Sequence, residues 1–89
     1  MPGKHKVHFL NKAARDADGL STNEYERIME GCPGLESDPS PDGKHVKKLR
    51  GYKDLYRLRI GAYRVVFQWK GEYVIVIRIL TKQDFIKKF

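Results

Sequence analysis

Two stretches in the second half of the chain alternate apolar and polar residues with period two. In Leu55–Ile60, Tyr56, Leu58 and Ile60 alternate with Arg57 and Arg59. In Tyr63–Trp69, Tyr63, Val65 and Phe67 share one parity and Arg64 takes the other. This periodicity predicts strands, and the Gly61-Ala62 pair between them predicts a hairpin. A two-residue turn places Ile60 opposite Tyr63 and Arg59 opposite Arg64. Side chains alternate faces along a strand, so Arg57, Arg59 and Arg64 share one face. Like charges directly opposed on a sheet are destabilising. Their concentration there points to an anion that binds them.

Tyr73–Leu80 is a third strand pattern, a nearly continuous apolar run interrupted by Arg78. Its register depends on the connection. A two-residue Gly71-Glu72 loop puts Ile75, Ile77 and Ile79 on the arginine face. A three-residue Lys70-Gly71-Glu72 loop with a glycine bulge instead pairs Arg64 with Arg78. It also aligns Tyr63, Val65, Phe67, Ile75, Ile77 and Ile79 as one apolar face. The three-residue loop is preferred because it separates apolar from cationic residues.

The first half reads differently. His5–Leu10 alternates and predicts a first strand. Asn11 is a candidate cap for a helix over residues 12–19, with Ala13, Ala14 and Ala17 as a thin apolar face and Gly19 as its end. Ser21 with Glu24 is a capping-box pair. Tyr25, Ile28, Met29 and Cys32 then form an apolar stripe on a second helix, which Gly31 and Pro33 terminate. Residues 33–43 read as a loop rich in turn residues. His45–Leu49 predicts a short strand, and Phe85 and Phe89 fall at i, i+4 in a short C-terminal segment.

Eighty-nine residues support one domain, residues 1–89, with one modest core. No apolar run approaches the roughly 20 residues that span a bilayer, and no signal-peptide pattern opens the chain, so a cytoplasmic protein is expected. A single cysteine, Cys32, excludes an internal disulfide framework and reads as a core residue. Charge is more telling. Residues 1–43 carry five Lys/Arg against eight Asp/Glu, whereas residues 44–89 carry thirteen against three. Such polarity attracts polyanions, nucleic acid above all, or an acidic protein partner. His5, His8 and His45 have no metal-ligand spacing with Cys32 or with one another, so no metal is expected. Nor is there a Gly-rich phosphate loop, and no cofactor is expected.

The order strand, helical hairpin, basic meander comes with specific motifs: Lys48-Leu49-Arg50-Gly51, then Leu55-Tyr56-Arg57-Leu58-Arg59, then Tyr63-Arg64-Val65, with Val76-Ile77-Arg78-Ile79 in the last strand. In these the chain resembles the RelE/ParE superfamily of toxins from bacterial and archaeal toxin–antitoxin pairs. The resemblance covers residues 44–82 in motif and nearly the whole chain in architecture. It implies a small α+β domain, with two N-terminal helices packed on a four-stranded, mainly antiparallel twisted sheet. RelE-like members bind the ribosome and cut mRNA; ParE-like members inhibit DNA gyrase. Both are neutralised by a cognate antitoxin, here expected to be acidic and partly helical.

Cutting RNA requires a base for the ribose 2′-hydroxyl, cations for the charge at phosphorus and an acid for the leaving oxygen. The resemblance assigns Arg64 to phosphate stabilisation. Arg57 and Arg59 match positions that carry lysine in well-known RNA-cutting members. As arginines they bind phosphate well but stay protonated. Lys82 falls where many members carry a catalytic arginine. Lys47, Lys48, Arg50, Lys53 and Arg78 are candidates for RNA backbone contact, and Phe85 and Phe89 for base stacking.

The tail departs from the family. Many members read Gly-His-Arg where this chain reads Leu80-Thr81-Lys82, and Ile86 stands near the usual tyrosine. No His or Tyr follows Tyr73. Two further readings therefore stand beside the ribosome-dependent nuclease: a ParE-like gyrase inhibitor, and a RelE-fold binding protein with weakened catalysis. A sheet-type RNA-binding module is disfavoured, because its exposed aromatics are missing. Tyr56 and Tyr63 read as packing residues, Trp69 as a hairpin-end packing residue, and Lys4 and Lys6 as solvated. Lys87 and Lys88 are candidates for simple helix-end charges.

Overall fold

The structure is a computed structural model that describes residues 5–89; the reading of Lys4 lies outside the described residues. In chain order the elements are β1 (Lys6–Phe9), α1 (Asn11–Asp18), α2 (Thr22–Gly31), α3 (Pro33–Ser37), β2 (Val46–Lys48), β3 (Leu55–Ile60), β4 (Tyr63–Lys70), β5 (Tyr73–Thr81) and α4 (Lys82–Lys88). All five strands join one sheet in the order β1-β5-β4-β3-β2. β1 runs parallel to β5 and the other pairings are antiparallel. The α+β architecture is as expected, but among the described residues two counts are corrected. The sheet has five strands rather than four, because the short β1 and β2 each pair with an edge of the meander. Four helical segments replace two, because α3 and α4 form as well.

Two of the helix boundaries follow the local chemistry. Ser21 Oγ accepts the Glu24 N–H at 3.2 Å while Glu24 Oε1 accepts the Ser21 N–H at 3.1 Å, so the capping box at α2 is complete. Gly19 follows α1, as expected. Asn11 does not cap α1: it is the first helical residue, and Leu10 stands at the cap without a side-chain bond. Pro33 ends α2 but also opens α3, the first-turn position where proline's missing N–H costs nothing. The predicted loop is therefore shortened, and Leu35 on α3 is buried in the core.

The first hairpin has the predicted register: Ile60 opposite Tyr63, Arg59 opposite Arg64 and Leu58 opposite Val65. Gly61 sits at φ +56°, a conformation that favours glycine at the first position of a tight hairpin turn. The second hairpin does not follow the preferred reading. Lys70 lies opposite Tyr73, so the loop is the two residues Gly71-Glu72. The irregularity sits inside the sheet instead: Phe67 pairs with Val76 but Val66 pairs with Arg78, leaving Ile77 as the extra residue. Arg64 consequently faces Leu80, not Arg78. The bulge sends Val74, Val76 and Ile79 into the core and leaves Ile75 and Ile77 only half-buried.

The core lies between the helical side of the sheet and α1–α3. Ala13 and Ala17 of α1, Ile28 and Cys32 of α2, and Leu58, Val65 and Phe67 of the sheet meet there. Each large apolar side chain buried contributes roughly 1.5–3 kcal/mol. Of the α2 stripe, Met29 is half-buried and Tyr25 exposed. On the other face, Val66 and Leu80 are also buried, and α4 packs on β4 and β5. Among the described residues no helix is long and apolar enough to cross a membrane.

Candidate functional site

Cross-strand register arranges the basic side chains in two rows on the arginine face. One row runs Lys47, Arg57, Val66, Arg78 across β2, β3, β4 and β5. The next runs His45, Arg59, Arg64, Leu80: the Arg59 N–H donates to the His45 carbonyl at 2.8 Å, which extends the β2–β3 ladder by one residue. Arg57, Arg59 and Arg64 therefore share one face, with Lys47 beside them. Lys48 lies opposite Tyr56 and belongs to the helical face. Arg50 and Lys53 are exposed in the connection between β2 and β3.

Arg64 is the buried member, 8% exposed. Its Nη1 donates to the Gly61 carbonyl at 3.0 Å and to the Tyr63 carbonyl at 2.9 Å, so the turn itself orients the guanidinium. Burial, then the charges of Arg57 and Arg59, lower its pKa. Arg57 donates from Nη1 to the His45 carbonyl at 2.9 Å. Its pKa is lowered by burial and by Arg59, with Asp42 opposing. Arg57 and Arg64 stay cationic at neutral pH, since arginine starts above about 12. Among the described residues the side-chain ion pairs are Arg78–Asp16 and His45–Asp42, and in neither is the carboxylate paired with Arg57, Arg59 or Arg64. Guanidiniums so placed, with no paired carboxylate among the described residues, carry the donors and charge that a phosphate or carboxylate anion needs.

The other candidates divide. Lys82 opens α4, and its N–H donates to the Ala62 carbonyl at 2.9 Å, which pins the helix start to the turn beside Arg59 and Arg64. Its side chain is exposed. Phe85 and Phe89 stack on each other with ring centroids 5.5 Å apart, and Phe89 meets Tyr52 edge-on at 5.4 Å. Arg78 is engaged elsewhere: Nε and Nη2 donate to the Asp16 carboxylate at 2.8 and 3.2 Å. Its side chain belongs to the contact between β5 and α1. Tyr56 stacks on Phe67 at 5.5 Å, Tyr63 donates its hydroxyl to Glu24 at 2.7 Å, and Trp69 packs on Tyr56 and His5. These three are packing residues, as their pattern predicts.

The sequence reading passed over one group. His45 follows Asp42 at i+3 with Nδ1 3.4 Å from Asp42 Oδ2. Asp42 Oδ1 accepts the N–H groups of Lys44, His45 and Val46 at 2.8, 2.6 and 3.0 Å. Those bonds hold its carboxyl far below the usual carboxylate range. The available signal was the two-residue step from His45 to Lys47, which continues strand alternation onto the arginine face.

A family model described as the ParE toxin of the type II toxin–antitoxin system parDE matches residues 7–84. The chain belongs to the RelE/ParE toxin superfamily. Toxin RelE3 of Methanocaldococcus jannaschii is 34% identical over 89 residues, covering 94% of this chain and 98% of that one. The archaeal RelE–RelB complex from Pyrococcus horikoshii OT3 contains a chain 30% identical, with a TM-score of 0.73 over 89% of this chain and 96% of that one. A chain of the RelB–RelE antitoxin–toxin complex from Methanococcus jannaschii is 26% identical, with a TM-score of 0.75 and coverage of 93% and 99%. Within the RelE/ParE superfamily, the clustered arginines of β3 and β4 are the feature of this toxin that function must explain.

Proposed function

We propose that this toxin, acting as one domain over residues 1–89, binds the translating ribosome in the cytoplasm and cuts mRNA, and that a cognate antitoxin with an acidic, partly helical segment silences it. The observation that carries the reading is the set of three guanidiniums, Arg57, Arg59 and Arg64, on one face with no carboxylate in ion-pair range among the described residues. An RNA phosphate passing over that face would be held by Arg57 and Arg59, with Arg64, oriented by its own turn, against the non-bridging oxygens. Charge that develops at phosphorus in the transition state is stabilised by such fixed donors. Lys47, Arg50, Lys53 and Lys82 extend the cationic surface along the RNA backbone. The partner expectation is supported by relatives solved as complexes with an antitoxin.

The test is a translating extract supplied with a defined mRNA. Cleavage by the purified toxin is expected, with 2′-deoxy substitution at the cut site blocking it and Arg64→Ala slowing it about a hundredfold or more. Intact mRNA in the presence of active, folded toxin overturns the reading. A ParE-like gyrase inhibitor is the second reading, favoured by the family model that matches. A supercoiling assay separates the two, since only gyrase inhibition leaves mRNA intact and supercoiling blocked.

A further inference from the structure

The geometry points to His45 as the proton-transfer group of the arginine face, with Asp42 as its positioning residue. This rests on the RNA-cutting reading and supplies what its arginines lack, because guanidinium is too basic to accept a proton from a ribose hydroxyl.

Three observations place the group. His45 is registered opposite Arg59 by the Arg59 N–H to His45 carbonyl bond, one position before β2 and in the row that contains Arg59 and Arg64. The same carbonyl receives Arg57 Nη1, which fixes a phosphate-binding guanidinium to the backbone of the histidine itself. Asp42 is immobilised by three backbone N–H donors on Oδ1, so Oδ2 presents a fixed acceptor 3.4 Å from His45 Nδ1. A carboxylate at Nδ1 favours the tautomer that leaves Nε2 free to accept a proton, the arrangement of a base with an orienting acid. The imidazole side chain is 56% exposed, as a group that meets a polymeric substrate must be. The charged residues on its turn and in its two rows are Asp42 and Lys44, then Lys47 on β2, Arg57 and Arg59 on β3 and Arg64 on β4.

In the reaction, His45 Nε2 takes the proton of the ribose 2′-hydroxyl as the 2′-oxygen bonds to phosphorus. The bond from phosphorus to the 5′-oxygen breaks, and that oxygen takes a proton from water. The products are a 2′,3′-cyclic phosphate and a 5′-hydroxyl end, and the imidazolium returns its proton to solvent.

The experiment is single-turnover cleavage of a defined mRNA in stalled ribosomal complexes by the full chain. His45→Ala and His45→Gln are expected to cut about a hundredfold or more slowly while binding the complex and melting as the unaltered protein does. Added imidazole should restore His45→Ala at least tenfold and should not restore Arg64→Ala. His8→Ala on β1 should cut at the normal rate. His45→Gln is the variant that keeps size and polarity if His45→Ala does not fold. A normal cutting rate in His45→Gln, or no imidazole rescue of a folded His45→Ala, overturns the assignment and leaves the nuclease reading intact. No cleavage by the unaltered toxin overturns both.

Discussion

Arg78 Nε lies 2.8 Å from Asp16 Oδ2, joining β5 to α1 across 62 positions of sequence. The same carboxylate oxygen accepts the Ile79 N–H at 2.9 Å. β1 pairs with β5 only as far as Val76, so Asp16 closes the edge that β1 leaves open. An arginine that resembles an RNA contact in sequence is thus a structural tie.

Removing that tie has a measurable cost. Asp16→Ala strands a half-buried guanidinium and a strand N–H at once, and should lower stability by about 2–3 kcal/mol. Urea denaturation at neutral pH reads it. The carboxylate also brings pH dependence. Burial pushes the Asp16 pKa up, but the Arg78 and Ile79 hydrogen bonds and the charges of Arg78 and Lys88 outweigh it, and the net shift is downward. A group with a lowered folded pKa contributes stability above its unfolded value and loses it as pH falls through the folded one. The contribution should be complete above about pH 5 and decline below about pH 4, and Asp16→Asn should flatten that part of the curve.

The first hairpin was legible because a two-residue turn and strict alternation admit one register, which put Arg57, Arg59 and Arg64 on one face. The second was not. Val74 to Leu80 is apolar at every position except Arg78, so no alternation signals where register shifts, and an internal bulge at Ile77 leaves no mark. α3 was hidden by Pro33 and Gly34, read as loop residues although proline suits a helix's first turn. At the site, His45 falls in the predicted strand His45–Leu49, but nothing in the sequence marks its contact with Asp42 across the preceding turn, and its row depends on one ladder bond beyond β2.

Binding to RNA should weaken with salt in proportion to the phosphates engaged. For single strands the slope of log affinity against log salt is about −0.7 per phosphate. Replacing exposed Arg59 with alanine should reduce the slope by about 0.7. Arg78→Ala should leave the slope unchanged, because its charge is already taken by Asp16. Fluorescence anisotropy with a short unstructured RNA, titrated at several salt concentrations, distinguishes the two variants.

Cys32 should be chemically silent in the folded protein. It is buried in the core, and burial pushes its thiol up to about 11. The thiolate is the reactive form, so at pH 8 the native protein should react with a thiol reagent much more slowly than a free cysteine does. Denaturation in urea should restore the ordinary rate. Rapid labelling without denaturant would show that the α2 side of the core opens readily.

The turn at Gly61 joins stability to the site. Gly61 and Gly71 occupy the same turn position in the two hairpins, at φ +56° and +55°. Alanine at either should cost about 1–2 kcal/mol, the penalty of a left-handed conformation for an L residue. Of these two glycine carbonyls, that of Gly61 accepts from Arg64, whereas that of Gly71 accepts the Trp69 indole N–H at the far end of β4. A strained turn at Gly61 should therefore tilt the guanidinium as well as weaken the fold. Gly61→Ala is expected to lower both melting temperature and RNA affinity. Gly71→Ala should lower melting temperature by a similar amount and leave affinity within twofold. Equal affinity losses in the two variants would mean that Arg64 is oriented by something other than its turn.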